Sequence, residues 1–125
     1  MILGIGNDII DIRRIEATIA RYGDRFLKRV FTEGEIAYCQ RKRDSVSSFA
    51  ARFAAKEAFS KAMGTGFRFP VTLGQIIVVP DRRGKPCLAF RPELQKLVDE
   101  EGIRGHHLTI SDEKSLACAV VVLEK

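Results

Sequence analysis

Three ionisable side chains have types and spacing that chemistry could use: Asp8 in GIGNDIID, and Glu57 and Lys61 in RFAAKEAFSKA. The second stretch, residues 52–62, reads as a helix. A helix turns about 100° per residue. With Phe53 at zero, Phe49, Val46, Ala50 and Ala54 fall within about 100°, the width of a core-facing stripe. Glu57 then lands about 40° from Phe53, near the middle of that stripe, and Lys61 lies on its edge one turn later. A buried carboxylate must be neutralised, paired or bound to a metal. An i,i+4 pair with Lys61 is worth only about 0.2–0.5 kcal/mol, too little to offset real burial. Two plainer readings stand beside a metal site: that intrahelical pair, or a stripe that ends early and leaves Glu57 wet. A divalent ion would need a second carboxylate, and Asp8 is the best placed. It follows Gly4 and Gly6 near the end of an apolar strand. The competing role for Asp8 or Asp11 is to cap the next helix. Two carboxylates with water and phosphate oxygens suit Mg²⁺, which takes few protein ligands.

These side chains have to be carried by regular elements. Ile2 to Ile10 reads as a strand and Asp11 to Tyr22 as an amphipathic helix with Ile12, Ile15 and Ile19 on its apolar face. Asp24 opens a short helix to Val30, and Thr32 with Glu35 forms a capping-box pattern for a helix to about Gln40. Arg41 to Ser48 is a basic loop ending in a serine cap. The central helix runs from about Val46 to Met63 and stops at Gly64. Strands over 75–79 and 87–90 flank the turn DRRGK, and a helix starts at Pro92 and runs to about Glu101. Strands over 106–111 and 116–123 form a second hairpin. Helices and strands mix without regular alternation, so the expected fold is α+β: one domain over 1–125, with a long central helix packed on antiparallel strands.

Composition narrows the function classes. The 125 residues carry a formal net charge of +5, which favours an anionic partner. Cys39, Cys87 and Cys118 are far apart, odd in number and form no C-x-x-C pair, which points to reduced thiols in the cytoplasm rather than a zinc site. No apolar run is long enough to span a membrane. A small basic nucleic-acid-binding domain is the rival class, but helix-turn-helix spacing, zinc-finger ligands and an aromatic-basic RNP pattern are all lacking.

The motifs themselves bring a resemblance. GIGNDIIDIRRIE, residues 4–16, resembles the N-terminal motif of the holo-acyl-carrier-protein synthases. RFAAKEAFSKA resembles the F-x-x-K-E-A-x-x-K signature of small phosphopantetheinyl transferases. GTG at 64–66, GKP at 84–86 and HHLTIS at 106–111 continue the likeness along essentially the whole chain. Neither motif is strong alone; in this order and at this length they are highly specific. The resemblance implies the 4′-phosphopantetheinyl transferase fold and a Mg²⁺-dependent transfer of phosphopantetheine from coenzyme A to a serine of apo-acyl carrier protein, with adenosine 3′,5′-bisphosphate released.

It also implies a homotrimer with active sites between subunits, Asp8 coming from one chain and Glu57 from its neighbour. Asp8 and Glu57 would hold the metal, and with Lys61 would form the catalytic set. Lys61 and Arg52 fall at phosphate-contacting positions, Arg43 is a candidate for the 3′-phosphate, Gly64 and Thr65 line the nucleotide pocket, and His107 aligns with a histidine near coenzyme A. Some relatives carry a histidine where Asp112 stands, so no role tied to that histidine carries over. The serine's proton would pass to Glu57 or to a water on the metal, a choice the sequence leaves open. Acyl carrier proteins are strongly acidic, so Arg14, Arg21 and Arg25 are the docking candidates, with Arg14 foremost. A solvated helix face is the plainer reading of those arginines.

Overall fold

The computed structural model describes residues 1–125. The chain forms β1 (Ile2–Asp11), α1 (Ile12–Tyr22), α2 (Asp24–Val30), α3 (Glu33–Gln40), α4 (Ser45–Met63), β2 (Ile76–Pro80), β3 (Pro86–Phe90), α5 (Pro92–Glu100), β4 (Gly105–Glu113) and β5 (Leu116–Glu124). Two antiparallel hairpins are present, β2–β3 and β4–β5. β1 adds to the second hairpin along β5, giving a three-stranded sheet of order β1-β5-β4. This long-range pairing of the first strand with the last is invisible to local patterns. The α+β architecture matches expectation. The central helix starts one residue earlier than expected, and its cap is Asp44, whose carboxylate accepts from the Ser47 amide.

α4 is the spine. It packs on β1 and β5 and also touches α1, α3 and β2. Phe49, Ala50, Ala51, Ala54, Ala55, Ala58, Phe59 and Ala62 are all buried along it. A helix so enclosed has no single apolar stripe, and its six buried alanines let neighbours approach it closely from several sides. The glycines of β1 explain how closely the strand lies against it. A Cβ on Gly4 would sit 2.0 Å from the Ala62 carbonyl oxygen, and one on Gly6 would sit 2.0 Å from that of Ala58. Only hydrogen fits between the two backbones there. Gly6→Ala should therefore push α4 off the sheet and cost about 1–3 kcal/mol or more by overpacking; urea denaturation would show it as a lowered midpoint.

The same helix carries a fully buried cation. Lys56 is 0% exposed, and its Nζ donates to Val30 O (2.7 Å), Glu35 Oε1 (2.8 Å) and Leu73 O (3.0 Å). Glu35 is buried too. Its Oε1 also accepts from the Thr32 amide at the start of α3, completing the expected capping box, and its Oε2 accepts from the Val78 amide in β2. All three protons of the ammonium are used. Burial pulls the Lys56 pKa below the ordinary lysine value, and the Glu35 carboxylate opposes that shift. This network ties the end of α2, the cap of α3, the residue 73 loop and β2 to the spine.

Candidate active site

On β1, the side chains of Gly4, Gly6, Asp8 and Ile10 alternate toward α4. The two glycines seat the strand on α4, and Asp8 follows on the same face. Its side chain is 16% exposed, and Oδ1 accepts from Lys61 Nζ at 3.1 Å. Asp8 is not a cap; Asp11 is, accepting from the Arg13 amide at 2.9 Å. The helix therefore starts without drawing on Asp8.

Glu57 is half-buried on α4. Its carboxyl pKa is raised, first by burial and then by the charge of Asp8, while Lys61 and Arg14 pull the other way. The four groups Asp8, Glu57, Lys61 and Arg14 thus share one electrostatic neighbourhood inside a single chain. The intrahelical Glu57–Lys61 pair does not form, because Lys61 turns across to Asp8. The division of Asp8 and Glu57 between two subunits is corrected by the same observation: one chain supplies both, because the close β1–α4 approach brings them together.

No group of three or more His, Cys, Asp or Glu side chains is arranged to hold an ion anywhere in the chain. The donor set at Asp8 and Glu57 is two hard oxygen ligands beside a surface-exposed lysine. That fits an ion such as Mg²⁺, which keeps most of its shell as water and phosphate oxygen. Burial first and the Asp8 charge second raise Glu57, and a divalent ion between the two carboxylates would relieve their repulsion.

Arg43 and Arg52 lie elsewhere. They line an open cleft of about 390 Å³ with Tyr38, Lys42, Ser48 and Asp112. Nine residues separate Arg52 from Lys61, which turns the two about 180° apart around α4, and Glu57 is about 140° from Arg52. The phosphate-contacting pair expected from sequence is therefore split between opposite faces of the spine. Gly64 is the left-handed cap of α4 (φ 74°), and the Thr65 hydroxyl donates to Gly66 O at 2.8 Å in an exposed loop. His107 sits on the other face of the three-stranded sheet from Asp8, with Nε2 2.5 Å from Glu124 Oε1. His106 packs edge-on against Phe90 with ring centroids 5.2 Å apart.

The docking candidates line the solvent side of the first two helices. Arg13 pairs with Asp11 at 2.7 Å, which leaves Arg14 exposed and free of any ion pair beside the Glu57 site. The Arg21 guanidinium lies 5.3 Å from the Tyr22 ring centroid, and Arg25 lines a hollow with Tyr22, Phe26 and Arg29. Sequence reasoning missed Tyr38 and Lys56, and read Glu35 only as a cap, not as the buried partner of Lys56. The signal for Lys56 was present: it lies seven residues beyond Phe49, about 20° away on the wheel, squarely in the apolar sector.

Two carboxylates and a lysine where α4 crosses the first strand can hold a divalent ion and an anionic phosphate together. The model of the 4′-phosphopantetheinyl transferase superfamily matches residues 4–121, and the chain belongs to that superfamily. Within it, the chain is similar over its full length to holo-[acyl-carrier-protein] synthases. That of Nitrosospira multiformis is 50% identical over 125 residues, covering 100% of both chains. The crystal structure of the Neisseria meningitidis synthase superposes with a TM-score of 0.95 at 41% identity, covering 100% of both. The Helicobacter pylori synthase, solved in complex with coenzyme A, gives 0.85 at 32% identity and covers 96% of this chain and 99% of that one.

Proposed function

We propose that this chain transfers the 4′-phosphopantetheine group of coenzyme A to a serine of apo-acyl carrier protein, yielding the holo-carrier and adenosine 3′,5′-bisphosphate. The supporting observation is the meeting of Asp8, Glu57 and Lys61 where β1 crosses α4, in a chain of this superfamily. The serine oxygen forms a bond to the β-phosphorus of coenzyme A as the bond to the adenosine bisphosphate oxygen breaks. Asp8 and Glu57 would hold Mg²⁺, which when bound neutralises diphosphate oxygens and steadies the charge that builds on them. Lys61, already poised at Asp8, turns its ammonium to the same phosphoryl oxygens. The serine proton would pass to Glu57 or to a water held by the ion at the same β1–α4 crossing.

The active assembly in this reading is a homotrimer. The outward sheet face carries Ile5 and Ile9, each 62% exposed, with Leu116 and half-buried Cys118, Val120 and Val122 beside them. Such a contiguous apolar face favours burial against another copy. The two half-sites on opposite sides of α4 favour it too. A single coenzyme A could meet Lys61 of one chain and Arg52 of the next without circling a buried helix. His107 lies on the outward face, where a neighbour's ligand would pass. The reading places the protein in the cytoplasm, where its three free thiols stay reduced; no helix is long and apolar enough to cross a membrane.

Mass spectrometry of apo-acyl carrier protein incubated with the chain, coenzyme A and Mg²⁺ should show one phosphopantetheine on serine. An unmodified carrier would overturn the assignment. Light scattering should give three chains per particle. Arg14→Ala should raise the KM for acyl carrier protein roughly tenfold and weaken its salt dependence, with a smaller change for coenzyme A. Equal KM values for the carrier in both proteins would remove Arg14 from the docking surface.

A further inference from the structure

Coenzyme A carries a diphosphate and a separate phosphomonoester. The first belongs with Asp8, Glu57 and Lys61; the cleft on the other face of α4 has the character of a second anion site. Lys42, Arg43 and Arg52 line it, Arg41 lies beside the Tyr38 ring at its edge, and none of the four forms an ion pair. Of the two nearby carboxylates, Asp44 is taken up by the amide and hydroxyl of Ser47 at 3.1 and 2.6 Å, and Asp112 is exposed on the cleft's far strand.

The arrangement is costly to hold. Arg52 is only 6% exposed, its Nη1 donates to Ser48 Oγ at 3.1 Å, and its Nε has no partner. What faces its guanidinium is the ring of Tyr38, 4.2 Å from guanidinium carbon to centroid. The same ring receives Lys42 Nζ at 4.7 Å and the Arg41 guanidinium at 5.9 Å. Three cations around one aromatic ring repel each other and need a counterweight. The ring's negative faces supply it. Burial alone would push the Tyr38 phenol up, yet Lys42 and Arg52 more than offset this and hold it below the ordinary tyrosine value. Tyr38 is itself well anchored, one helical turn beyond the buried Glu35 that caps α3.

We infer that Tyr38 is a positioning residue for coenzyme A: its ring holds Arg52 and Lys42 as a preformed cationic wall that receives the ligand's phosphomonoester. The inference rests on the transfer reaction proposed above. It assigns to Tyr38 the preference for coenzyme A over its dephosphorylated form, acting through Arg52 and Lys42 without itself touching the phosphate.

The test compares wild type, Tyr38→Leu, Tyr38→Met and Tyr38→Phe, with saturating apo-acyl carrier protein and Mg²⁺, against coenzyme A and 3′-dephospho-coenzyme A. Loss of the ring should raise KM for coenzyme A about tenfold, in line with one desolvated cation–π contact, and change that for the dephosphorylated form by less than about twofold. Tyr38→Phe keeps the ring and should restore most of the preference. Equal losses on both substrates would mean a merely structural tyrosine and overturn the inference, as would an unchanged preference in the Leu or Met variant. A Phe variant as impaired as Leu would also overturn it, since the ring would not be the support. Calorimetric titration with adenosine 3′,5′-bisphosphate reads the same wall without turnover. If wild type binds it tenfold tighter than Tyr38→Met yet transfers nothing, the reaction fails while the role of Tyr38 stands. If wild type is active and the two proteins bind it equally, the reaction stands and the role of Tyr38 fails.

Discussion

Glu57→Gln should abolish transfer and at the same time make the metal-free protein more stable at neutral pH. The two effects share one cause. Burial and the neighbouring Asp8 charge raise the Glu57 pKa, so the folded state takes up its proton more readily than the unfolded state. Stability from this group is therefore fully present at low pH and is lost as pH rises through the folded pKa. At neutral pH the ionised carboxylate works against folding, and glutamine removes that charge while keeping the shape. Activity should fall by at least about 10²–10³-fold, the usual cost of deleting a group that stabilises developing charge. The urea midpoint without metal should rise, and its dependence on pH should flatten in the range where Glu57 titrates. Added Mg²⁺ should raise the wild-type midpoint by selective binding to the folded state and leave the variant nearly unmoved. A variant that keeps wild-type turnover, or gains the same stability from Mg²⁺, would sink the assignment of Glu57 to the metal and the reaction.

The residues differ in how far their roles could be read from the sequence. Thr32 and Glu35 announced a helix start because a capping box is local, four residues long, and fixed by backbone geometry. Gly64 announced a helix end for the same reason. The hairpins were legible from alternation and a turn. The pairing of β1 with β5 was not, because register between distant strands depends on tertiary packing. Glu57 drew attention because a carboxylate among apolar neighbours is conspicuous on a wheel. Its relation to Asp8 was misassigned because that depends on how near β1 comes to α4, which Gly4, Gly6, Ala58 and Ala62 decide jointly across some fifty residues of chain. Arg52 and Lys61 shared one role in motif terms, yet helical geometry sets them on opposite faces. The motif records which residues are present along the chain; the wheel shows that no single face can display them all. Tyr38 carried no signal at all in isolation, since its significance lies in the three cations that surround it.

Lys56→Met should cost about 3–5 kcal/mol, the typical penalty for breaking a buried ion pair by removing one partner. Against the 5–15 kcal/mol that usually separates folded from unfolded states, that is enough to leave the protein marginal. Methionine fills much the same space, so cavity formation adds little. The loss comes from Glu35, which keeps its bonds to the Thr32 and Val78 amides but stays buried without its cation. The carbonyl groups of Val30 and Leu73 lose their donor as well. Changing Glu35→Gln in the same chain should return only part of the loss: the uncompensated charge is then gone, but the single amide oxygen can accept from just one of the Thr32 and Val78 amides, which now donate to separate oxygens. The ordering single lysine variant least stable, double variant intermediate, wild type most stable is readable in urea midpoints. Activity should track folded fraction in all three, because Lys56 points to the α2–α3 side of the spine and away from Asp8. A folded Lys56→Met protein with transfer reduced beyond its folded fraction would show that the signature lysine serves the chemistry directly. A double variant no more stable than the single would show that the charge on Glu35 is not what the loss consists of.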